Sequence, residues 1–220
     1  MIRKLRFGRK AARFGTARSL VVFLHGYGAD GADLLGLADL LAPHLPHTAF
    51  VAPDAPEPSR ASPFGRQWFP IPWIDGSSEA EAIDGLVRAH ADLDAFFDAR
   101  LEEEGLAPAQ LAVFGFSQGA MMALHVLPRR AEAVAAIVAC SGRLLAPERL
   151  PAEARVRPPV LLMHGDRDEV VPFADMGLAG DALVDAGFDT FAHVMEGTGH
   201  GIAPDGIAAA LAFLRDRLPG

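Results

Sequence analysis

The sequence predicts an α/β fold in which a mostly parallel central sheet carries helices on both faces. Two observations lead to this prediction. Short apolar runs alternate along the chain with longer amphipathic segments, and most of the runs are continuous in Val, Ile, Leu and Phe. Continuous apolar runs are typical of strands that are covered on both faces. The alternation of strands and helices then predicts parallel strands joined by right-handed crossovers.

The strands are predicted from the apolar runs and the helices from the segments between them. In the longest helix, apolar side chains recur at helical spacing from Ile83 to Phe97, and Gly105 is well placed to end it. The predicted strands are Leu5–Phe7, Leu20–Leu24, Thr48–Ala52, Leu111–Phe114, Val134–Ala139, Val160–Met163 and Thr190–Met195. The predicted helices are Asp33–Leu41, Glu79–Glu104, Gln118–Leu127, Ala174–Ala186 and Ile207–Leu218.

The charge of the chain is unevenly distributed. Its 220 residues are 50% hydrophobic and carry a formal net charge of -8, yet residues 1–18 hold seven Lys or Arg and no acid. This length and composition predict one domain spanning residues 1–220. The acidic balance argues against nucleic-acid binding, which requires a clustered basic surface. We interpret the basic segment as an exposed edge strand, because no apolar core or cleavage site of a targeting leader follows it.

The chain has one cysteine and no long apolar stretch. Cys140 excludes an intramolecular disulfide and fits a reducing compartment, and its place at the end of an apolar run predicts a small buried residue. No segment approaches the apolar length of a transmembrane helix. We therefore expect a cytoplasmic protein without stable membrane insertion.

A serine stands between a predicted strand and a predicted helix. Ser117 has Gly115 and Gly119 two residues to either side, after the run Leu111–Phe114 and before the helix-prone Ala120–Leu124. This order is that of a nucleophile elbow, in which strained backbone needs neighbours without bulk and the helix N-terminus favours a developing anion. The alternative is an ordinary strand-to-helix loop with a capping serine, because Gly and Ser are common residues.

Two later segments contain partners for a serine nucleophile, which needs a base and a carboxylate that orients the base. The run Val160–Met163 opens into an acidic loop with Asp166 and Asp168, and a later apolar stretch leads to His200. Each candidate follows the C-terminal end of a predicted strand, where open α/β sheets place their chemistry. The acid and the histidine also follow the serine in the order expected with a nucleophile elbow. The sequence therefore predicts a Ser-His-Asp triad.

A glycine-rich turn is the candidate source of an oxyanion donor. The strand Leu20–Leu24 leads into His25-Gly26-Tyr27-Gly28, a turn that can aim the backbone N–H of Tyr27 into the site. The second predicted donor is the N–H after the nucleophile, on Gln118. We interpret His25 and His164, each followed by glycine at a strand end, as residues that brace loops by hydrogen bonds.

No metal or cofactor is expected. His44 and His47 flank Leu45 and Pro46 without nearby Cys or suitably spaced acids, so we interpret them as solvated surface residues. Acyl transfer by a serine, a histidine and an aspartate needs no metal ion.

One long irregular region, residues 53–78, contains six prolines and both tryptophans. A loop of this length in a compact domain is usually functional or disordered, and rigid proline-rich chain favours an ordered wall. We predict substrate contacts from Trp68, Trp73 and Ile71. The alternative is that the two tryptophans only anchor the loop to the core.

Five motifs together resemble the phospholipase/carboxylesterase family of α/β-hydrolases, from about Leu20 to the C-terminus. They are Leu24–Asp30, Gln67–Phe69, Gly115–Gly119, His164–Pro172 and Gly199–His200. The resemblance implies an α/β-hydrolase fold. One departure concerns the loop, where Pro70 follows Trp-Phe at a position that is usually acidic in the family.

The resemblance also implies roles for individual residues. It implies Ser117 as the nucleophile and His200 as the base. It selects Asp168, the second Asp of the HGDxD motif, as the triad acid. It places Tyr27 and Gln118 at the oxyanion-hole positions.

We therefore expect a serine carboxylesterase that hydrolyses short- to medium-chain carboxylic esters through an acyl-enzyme. Thioesters would pass through the same steps, so an acyl-protein thioesterase or a lysophospholipase is the alternative. An alternative of another class is a catalytically silent binding module with this fold, against which the intact triad positions count. A hydrolase of the dienelactone type would carry cysteine where Ser117 stands. The expected partner is a small-molecule ester. The sequence leaves open whether the protein forms a homodimer.

Overall fold

The computed structural model describes residues 2–219, and its centre is a seven-stranded sheet. The strands in chain order are β1 Phe7–Lys10, β2 Ser19–Leu24, β3 Thr48–Pro53, β4 Glu57–Pro58, β5 Arg66–Gln67, β6 Leu111–Phe116, β7 Ala136–Cys140, β8 Val160–Gly165 and β9 Thr190–Met195. The central sheet has the order β1-β3-β2-β6-β7-β8-β9, and β4 and β5 form a separate ribbon. Only β1 runs antiparallel to its neighbour in the central sheet, so the prediction of a mostly parallel sheet is confirmed.

Helices cover both faces of this sheet, as predicted. They are α1 Gly31–Leu35, α2 Ala38–Leu41, α3 Pro72–Asp75, α4 Glu79–Glu104, α5 Gln118–Val126, α6 Leu150–Glu153, α7 Ala174–Asp185 and α8 Pro204–Arg217. Successive side chains of a strand point to opposite faces. Val22 accordingly belongs to a core cluster with residues of α4, α5 and α7, whereas Val21 and Phe23 belong to a second cluster with α1, α2 and α8. No helix within residues 2–219 is long and apolar enough to cross a membrane.

The longest helix, α4, starts and stops at strong local signals. At its N-terminus the Ser78 hydroxyl accepts the N–H of Glu81, and the Glu81 carboxylate accepts the N–H of Ser78. This reciprocal capping satisfies two amides that a helix start leaves without partners. Gly105 ends the helix at φ 65°, a left-handed conformation that glycine adopts without a Cβ penalty. The predicted end of this helix is confirmed.

The predicted helix Asp33–Leu41 is two short helices in the structure. Between α1 and α2, the N–H of Leu37 donates to the carbonyl of Leu34 at 3.0 Å. The N–H of Asp39 likewise donates to the carbonyl of Gly36 at 3.1 Å. These bonds span three residues instead of four, so the backbone tightens and the α-helix is interrupted.

The first strand begins later than the sequence predicts. Leu5 is a buried core residue that lies before the ladder, and the antiparallel pairing runs from Phe7 opposite Pro53 to Lys10 opposite Phe50. The apolar run therefore predicts correctly that Leu5 is buried, but it does not predict the residue at which the pairing of β1 with β3 begins. The predicted strand from Val134 likewise starts only at Ala136.

The basic N-terminal segment forms an edge of the sheet, as predicted, and its side chains pair with acids. The backbone N–H and the Nε of Arg3 each donate to Asp92 at 2.7 Å, and the Asp92 side chain is 1% exposed. In β1, Arg9 pairs with Glu104 at 2.7 Å near the surface. Exposed pairs contribute little to stability, whereas removing the partner of a buried carboxylate is costly. Arg3 is therefore the main electrostatic anchor of this segment.

The single cysteine is a core residue. Cys140 ends β7 and is fully buried, and this burial raises the pKa of its thiol to about 12. Because the thiolate is the reactive form, the thiol is inert at neutral pH.

Candidate active site

A strained turn between β6 and α5 presents Ser117. The residue has φ 53° and ψ -117°, a conformation that is rare for any residue other than glycine. A Cβ on Gly115 would collide with the backbone of Gly119, and a Cβ on Gly119 would collide with the carbonyl of Leu24. Bulk is therefore excluded on both sides of the serine, which is the steric requirement that the sequence predicts.

The structure brings Ser117, His200 and Asp168 together, although they are far apart in sequence. His200 Nε2 lies 3.0 Å from Ser117 Oγ, and His200 Nδ1 lies 2.7 Å from Asp168 Oδ2. Asp168 follows β8 and His200 follows β9, so both come from C-terminal ends of parallel strands at the same edge of the sheet. A carboxylate at Nδ1 fixes the proton there and leaves Nε2 free to accept a proton from the hydroxyl.

Asp168 is held as a carboxylate. Its Oδ1 accepts the backbone N–H groups of Val170 and Val171, both at 2.9 Å. Burial alone would raise the pKa of this carboxyl, but the hydrogen bonds from His200, Val171 and Val170 outweigh burial and the pKa is lowered. An ionised Asp168 can stabilise a positively charged imidazole beside it.

Asp166, the other acid of this loop, points elsewhere. Its Oδ1 accepts the N–H of Gly197 at 2.7 Å, in the turn that leads to His200. The N–H of Arg167 also donates to Thr198 O of that turn, at 3.0 Å. Asp166 therefore supports the loop that carries the histidine and does not contact the imidazole.

His164 is a second histidine near the acid. Its Nε2 lies 2.9 Å from the carbonyl of Val171 and 3.3 Å from Asp168 Oδ2, and the ring is 1% exposed. Both neighbours are acceptors, so Nε2 carries the proton and donates. The predicted bracing role is observed. The contact of His164 with Asp168 was not predicted, because the sequence contains no signal for it.

His25 also braces its loop and lies away from the serine. Its Nδ1 lies 2.8 Å from the carbonyl of Gly26, and its Nε2 accepts the N–H of Ala55 at 2.9 Å. One nitrogen donates and the other accepts, which is the pattern of a neutral ring. Burial lowers the pKa of His25 and so favours this neutral form.

Two backbone amides are candidates for an oxyanion hole. The N–H of Gln118 is in the first turn of α5, where amides lack intrahelical partners. In the glycine-rich turn, the N–H of Gly28 donates to Arg66 O at 2.8 Å and that of Ala29 to Gly26 O at 3.4 Å. Among the described residues, the Tyr27 N–H has no such acceptor. The Gly26 N–H of the same turn likewise has no acceptor within residues 2–219, and the Tyr27 N–H is the donor that the sequence predicts.

The Gln118 side chain has a separate structural role that the sequence does not reveal. Its Oε1 accepts the backbone N–H of Trp68 at 2.9 Å, and its Nε2 donates to Phe69 O at 2.7 Å. The residue after Ser117 therefore clamps the long loop onto α5.

Trp68 anchors this loop from inside the core. Its side chain is fully buried, and the indole N–H donates to His25 O at 2.9 Å. The prediction that Trp68 contacts substrate is therefore wrong, because no part of its surface is accessible. The anchoring alternative is the one observed.

Trp73 and Ile71 line a cleft of about 140 Å³ at the serine. Trp73 is 64% exposed and Ile71 is largely buried. The loop that carries them is tied to the glycine-rich turn, because the Tyr27 hydroxyl donates to Asp75 at 3.0 Å. The full lining is Tyr27, Ile71, Trp73, Ile74, Ser117, Met121, Arg143, Val170, Val171 and His200. Sequence reasoning did not find Met121, Arg143 and Val170, which come from α5 and from two loops.

A wider apolar groove adjoins the cleft at Ile71 and Trp73. Its volume is about 580 Å³, and these two residues line both the groove and the cleft. Ile83 and Leu86 of α4 also line this groove. Apolar substrate atoms beyond the cleft would find matching surface in this groove.

No group of three or more His, Cys, Asp or Glu residues within residues 2–219 is arranged to hold a metal ion. His47 lies at the surface, where its Nδ1 is 3.1 Å from the carbonyl of Phe14.

The lowered pKa of Asp168 predicts a pH-dependent contribution to stability. A carboxyl whose folded-state pKa lies below its ordinary value of 3.8 stabilises the fold above that pH. This contribution is lost as the pH falls through the lowered pKa. Asp168→Asn should therefore reduce the free energy of unfolding more at pH 7 than at pH 3. Urea unfolding at both pH values measures the difference, and an equal loss at both would contradict this expectation.

Comparison with known proteins agrees with the geometry of the site. A family model described as Phospholipase/Carboxylesterase matches residues 12–218. The chain belongs to this family. The resemblance seen in the sequence motifs is thereby confirmed.

Relatives within this family carry two kinds of name. The chain is 28% identical over 203 residues to Esterase YpfH of Escherichia coli (strain K12), covering 92% of this chain and 84% of that protein. It is 30% identical over 223 residues to Acyl-protein thioesterase 1 of Saccharomyces cerevisiae, covering 96% and 97%. The family to which the chain belongs is therefore a hydrolase family that includes esterases and thioesterases.

Solved structures share the fold. The crystal structure of esterase PE8 matches with a TM-score of 0.93 and 46% identity, covering 98% of this chain and 100% of that chain. The structure of Arabidopsis thaliana SOBER1 matches with a TM-score of 0.79 at 22% identity, covering 92% and 100%. The predicted α/β-hydrolase fold is confirmed.

Proposed function

We propose that this protein is a serine carboxylesterase that cleaves short- to medium-chain carboxylic esters through an acyl-enzyme. The observation that supports it most strongly is the continuous chain of hydrogen bonds from Ser117 through His200 to Asp168. This chain of hydrogen bonds begins at the strained turn of Ser117, which lines the cleft together with mostly apolar side chains. Strained backbone of this kind persists where the surroundings enforce it, and it clusters at active sites.

In the proposed first step, Ser117 Oγ attacks the ester carbonyl while His200 Nε2 takes its proton. Asp168 keeps the imidazole in the required tautomer and stabilises the imidazolium. The N–H groups of Tyr27 and Gln118 donate to the oxyanion, and each contributes about 3 kcal/mol to transition-state stabilisation when aligned.

In the second step, the tetrahedral intermediate collapses and the alcohol leaves with the proton from His200. The acyl group is then an ester of Ser117. Water attacks this ester, again with His200 as base, and the acid is released with the serine restored. Each proton that His200 accepts is returned within the same half-reaction.

A thioesterase or lysophospholipase is the second candidate. It is supported by the named thioesterase relatives and by the groove of about 580 Å³, which offers apolar surface for a longer acyl chain. The same triad serves both chemistries, because thioesters and esters pass through the same tetrahedral intermediate.

Product assays on matched substrates test the proposal. We expect the protein to hydrolyse 4-nitrophenyl butanoate and pentanoate, with a higher kcat/KM than for an acyl thioester or a lysophosphatidylcholine. A preference for the thioester or the lysolipid would favour the second candidate. A folded protein without turnover of any of these substrates would favour a silent binding module.

The cleft predicts a dependence on acyl chain length. Each buried methylene contributes about 0.8 kcal/mol, so kcat/KM for 4-nitrophenyl esters should rise from acetate until the cleft is filled. Trp73→Ala should weaken this rise, because the Trp73 ring walls the cleft. Phe64→Ala is the matched control, since Phe64 belongs to the same loop but lines a separate depression beside Gly28 and Asp30. The same chain-length profile in Trp73→Ala as in the wild type would remove Trp73 from the substrate site.

A further inference from the structure

One cation lines the cleft without a role in the proposed triad. Arg143 follows β7 and lies in the cleft wall with Ser117 and His200. The other residues that line this cleft have apolar or hydroxyl side chains, apart from the imidazole of His200. Arg143 is thus the only fixed charge in that lining.

The guanidinium of Arg143 is held in place on two sides. Its Nε and Nη2 donate to Asp175 Oδ2 at 2.9 and 2.6 Å, and its carbon lies 5.4 Å from the ring centroid of Trp73. Asp175 is in the first turn of α7, where a carboxylate is also favoured by the helix dipole. A guanidinium fixed in this way loses little further freedom when a ligand binds.

Most of the hydrogen-bonding capacity of Arg143 is unused. A guanidinium has five N–H donors, and the two bonds to Asp175 use two of them. Among the described residues, no other acceptor engages the remaining three. The side chain is 35% exposed, and it lines both this cleft and a neighbouring depression beside Asp175 and Leu178. Such donors bind carboxylates and phosphates by short, charge-assisted hydrogen bonds.

The backbone before Arg143 is strained and tightly packed against the nucleophile turn. Ser141 has φ 50°, and its N–H donates to Met163 O at 2.8 Å. A Cβ on Gly142 would lie 2.6 Å from the Cβ of Ala120 and 3.0 Å from the carbonyl oxygen of Ser117. This close approach directs the chain past the serine and sets Arg143 beside it. Strain of this kind clusters at functional sites.

We propose that Arg143 determines specificity by binding an anionic group of the ester substrate, with a carboxylate as the simplest case. This inference rests on the proposed esterase function and narrows its substrate class to esters that carry a negative charge near the scissile bond. The chain as a whole has a net charge of -8, so anionic substrates gain attraction only from a local cation such as this one.

The test compares anionic esters with neutral esters of matched chain length. On the acyl side, the pair is the mono-4-nitrophenyl ester of glutaric acid and 4-nitrophenyl pentanoate. On the alcohol side, the pair is 4-carboxyphenyl and 4-carbamoylphenyl pentanoate. The measured quantity is the ratio of kcat/KM for the anionic ester to that for its neutral partner. If substitution of Arg143 changes this ratio in only one of the two pairs, that pair identifies the side of the ester on which the anion binds.

In Arg143→Gln, we expect the ratio for one pair to fall about tenfold or more, the usual effect of losing hydrogen bonds to a charged group. The loss should lie in KM, and Arg143→Lys should restore part of it. Higher salt should lower the wild-type ratio, because exposed charges are screened. Arg149→Gln is the control for loss of a positive charge, since Arg149 is an exposed residue paired with Glu153 outside the cleft.

Ratios in Arg143→Gln that stay within about twofold of the wild type in both pairs would overturn the inference. Equal losses for the anionic and the neutral ester would also overturn it, leaving Arg143 as a support for Trp73 and α7. In both cases the neutral ester is still hydrolysed by the wild-type protein, so the proposed esterase function stands. Absence of turnover of every ester would instead overturn that function and the inference with it.

Discussion

Ser117→Ala is expected to lower kcat for 4-nitrophenyl butanoate by about a million-fold, and His200→Ala by a similar factor. The serine hydroxyl and the imidazole act as one unit through their 3.0 Å contact, so losing either removes the nucleophilic pathway. Asp168→Asn should cost about ten-thousand-fold, because the acid orients and stabilises the imidazole without itself reacting. Steady-state kinetics on purified variants, with thermal melting to verify folding, measure the three losses.

Asp166→Asn is the matched control for the acid. It changes the same loop and the same chemical group, but Asp166 bonds to the N–H of Gly197 and not to the imidazole. An asparagine oxygen can still accept that N–H, so much more activity should remain than in Asp168→Asn. If Asp166→Asn proved the more damaging of the two folded variants, the choice of Asp168 as the triad acid would be wrong.

Tyr27→Pro should lower kcat by about a hundredfold or more, the usual cost of losing one oxyanion donor. Proline has no N–H, and the Tyr27 N–H is the proposed oxyanion donor of the glycine-rich turn. Tyr27→Phe is the matched control, because it keeps this N–H and removes only the hydroxyl that donates to Asp75 at 3.0 Å. We expect a much smaller loss in Tyr27→Phe than in Tyr27→Pro.

Proline can also distort the turn, so the two variants need a separate measure of folding. Thermal melting and reaction of Ser117 with a fluorophosphonate provide it. A folded Tyr27→Pro protein with normal turnover would place the first oxyanion donor elsewhere. A folded but inactive Tyr27→Phe protein would give the phenol a direct role in the chemistry.

The sequence predicts the sheet and the triad segments because both depend on short local patterns. Strands covered on both faces need continuous apolar runs, and parallel strands align their C-terminal ends at one edge. The role of Gly115 and Gly119 can be predicted from the sequence for a related reason, since the turn at Ser117 leaves no room for a Cβ at either position. Three strand-end motifs in the right order then suffice to group residues that are 32 and 83 positions apart.

The features that sequence reasoning misses depend on contacts between distant segments. The burial of Trp68 follows from the clamp by the Gln118 side chain, 50 positions away. Arg143 enters the cleft from the loop after β7, where Gly142 packs against the turn at Ser117. Neither contact leaves a periodic pattern or a motif, so composition and spacing carry no signal for it. The break between α1 and α2 is similar, because three-residue hydrogen bonds replace a helix whose apolar pattern continues across the break.

Covalent labelling of the nucleophile tests the central proposal most directly. The protein is incubated at neutral pH with a fluorophosphonate, which reacts with activated serines, and its intact mass and labelled peptide are determined. The proposed triad predicts one adduct, located on Ser117, that is absent in Ser117→Ala and forms much more slowly in His200→Ala. An unmodified wild-type protein, or an adduct on another residue, would contradict the assignment of Ser117 as an activated nucleophile.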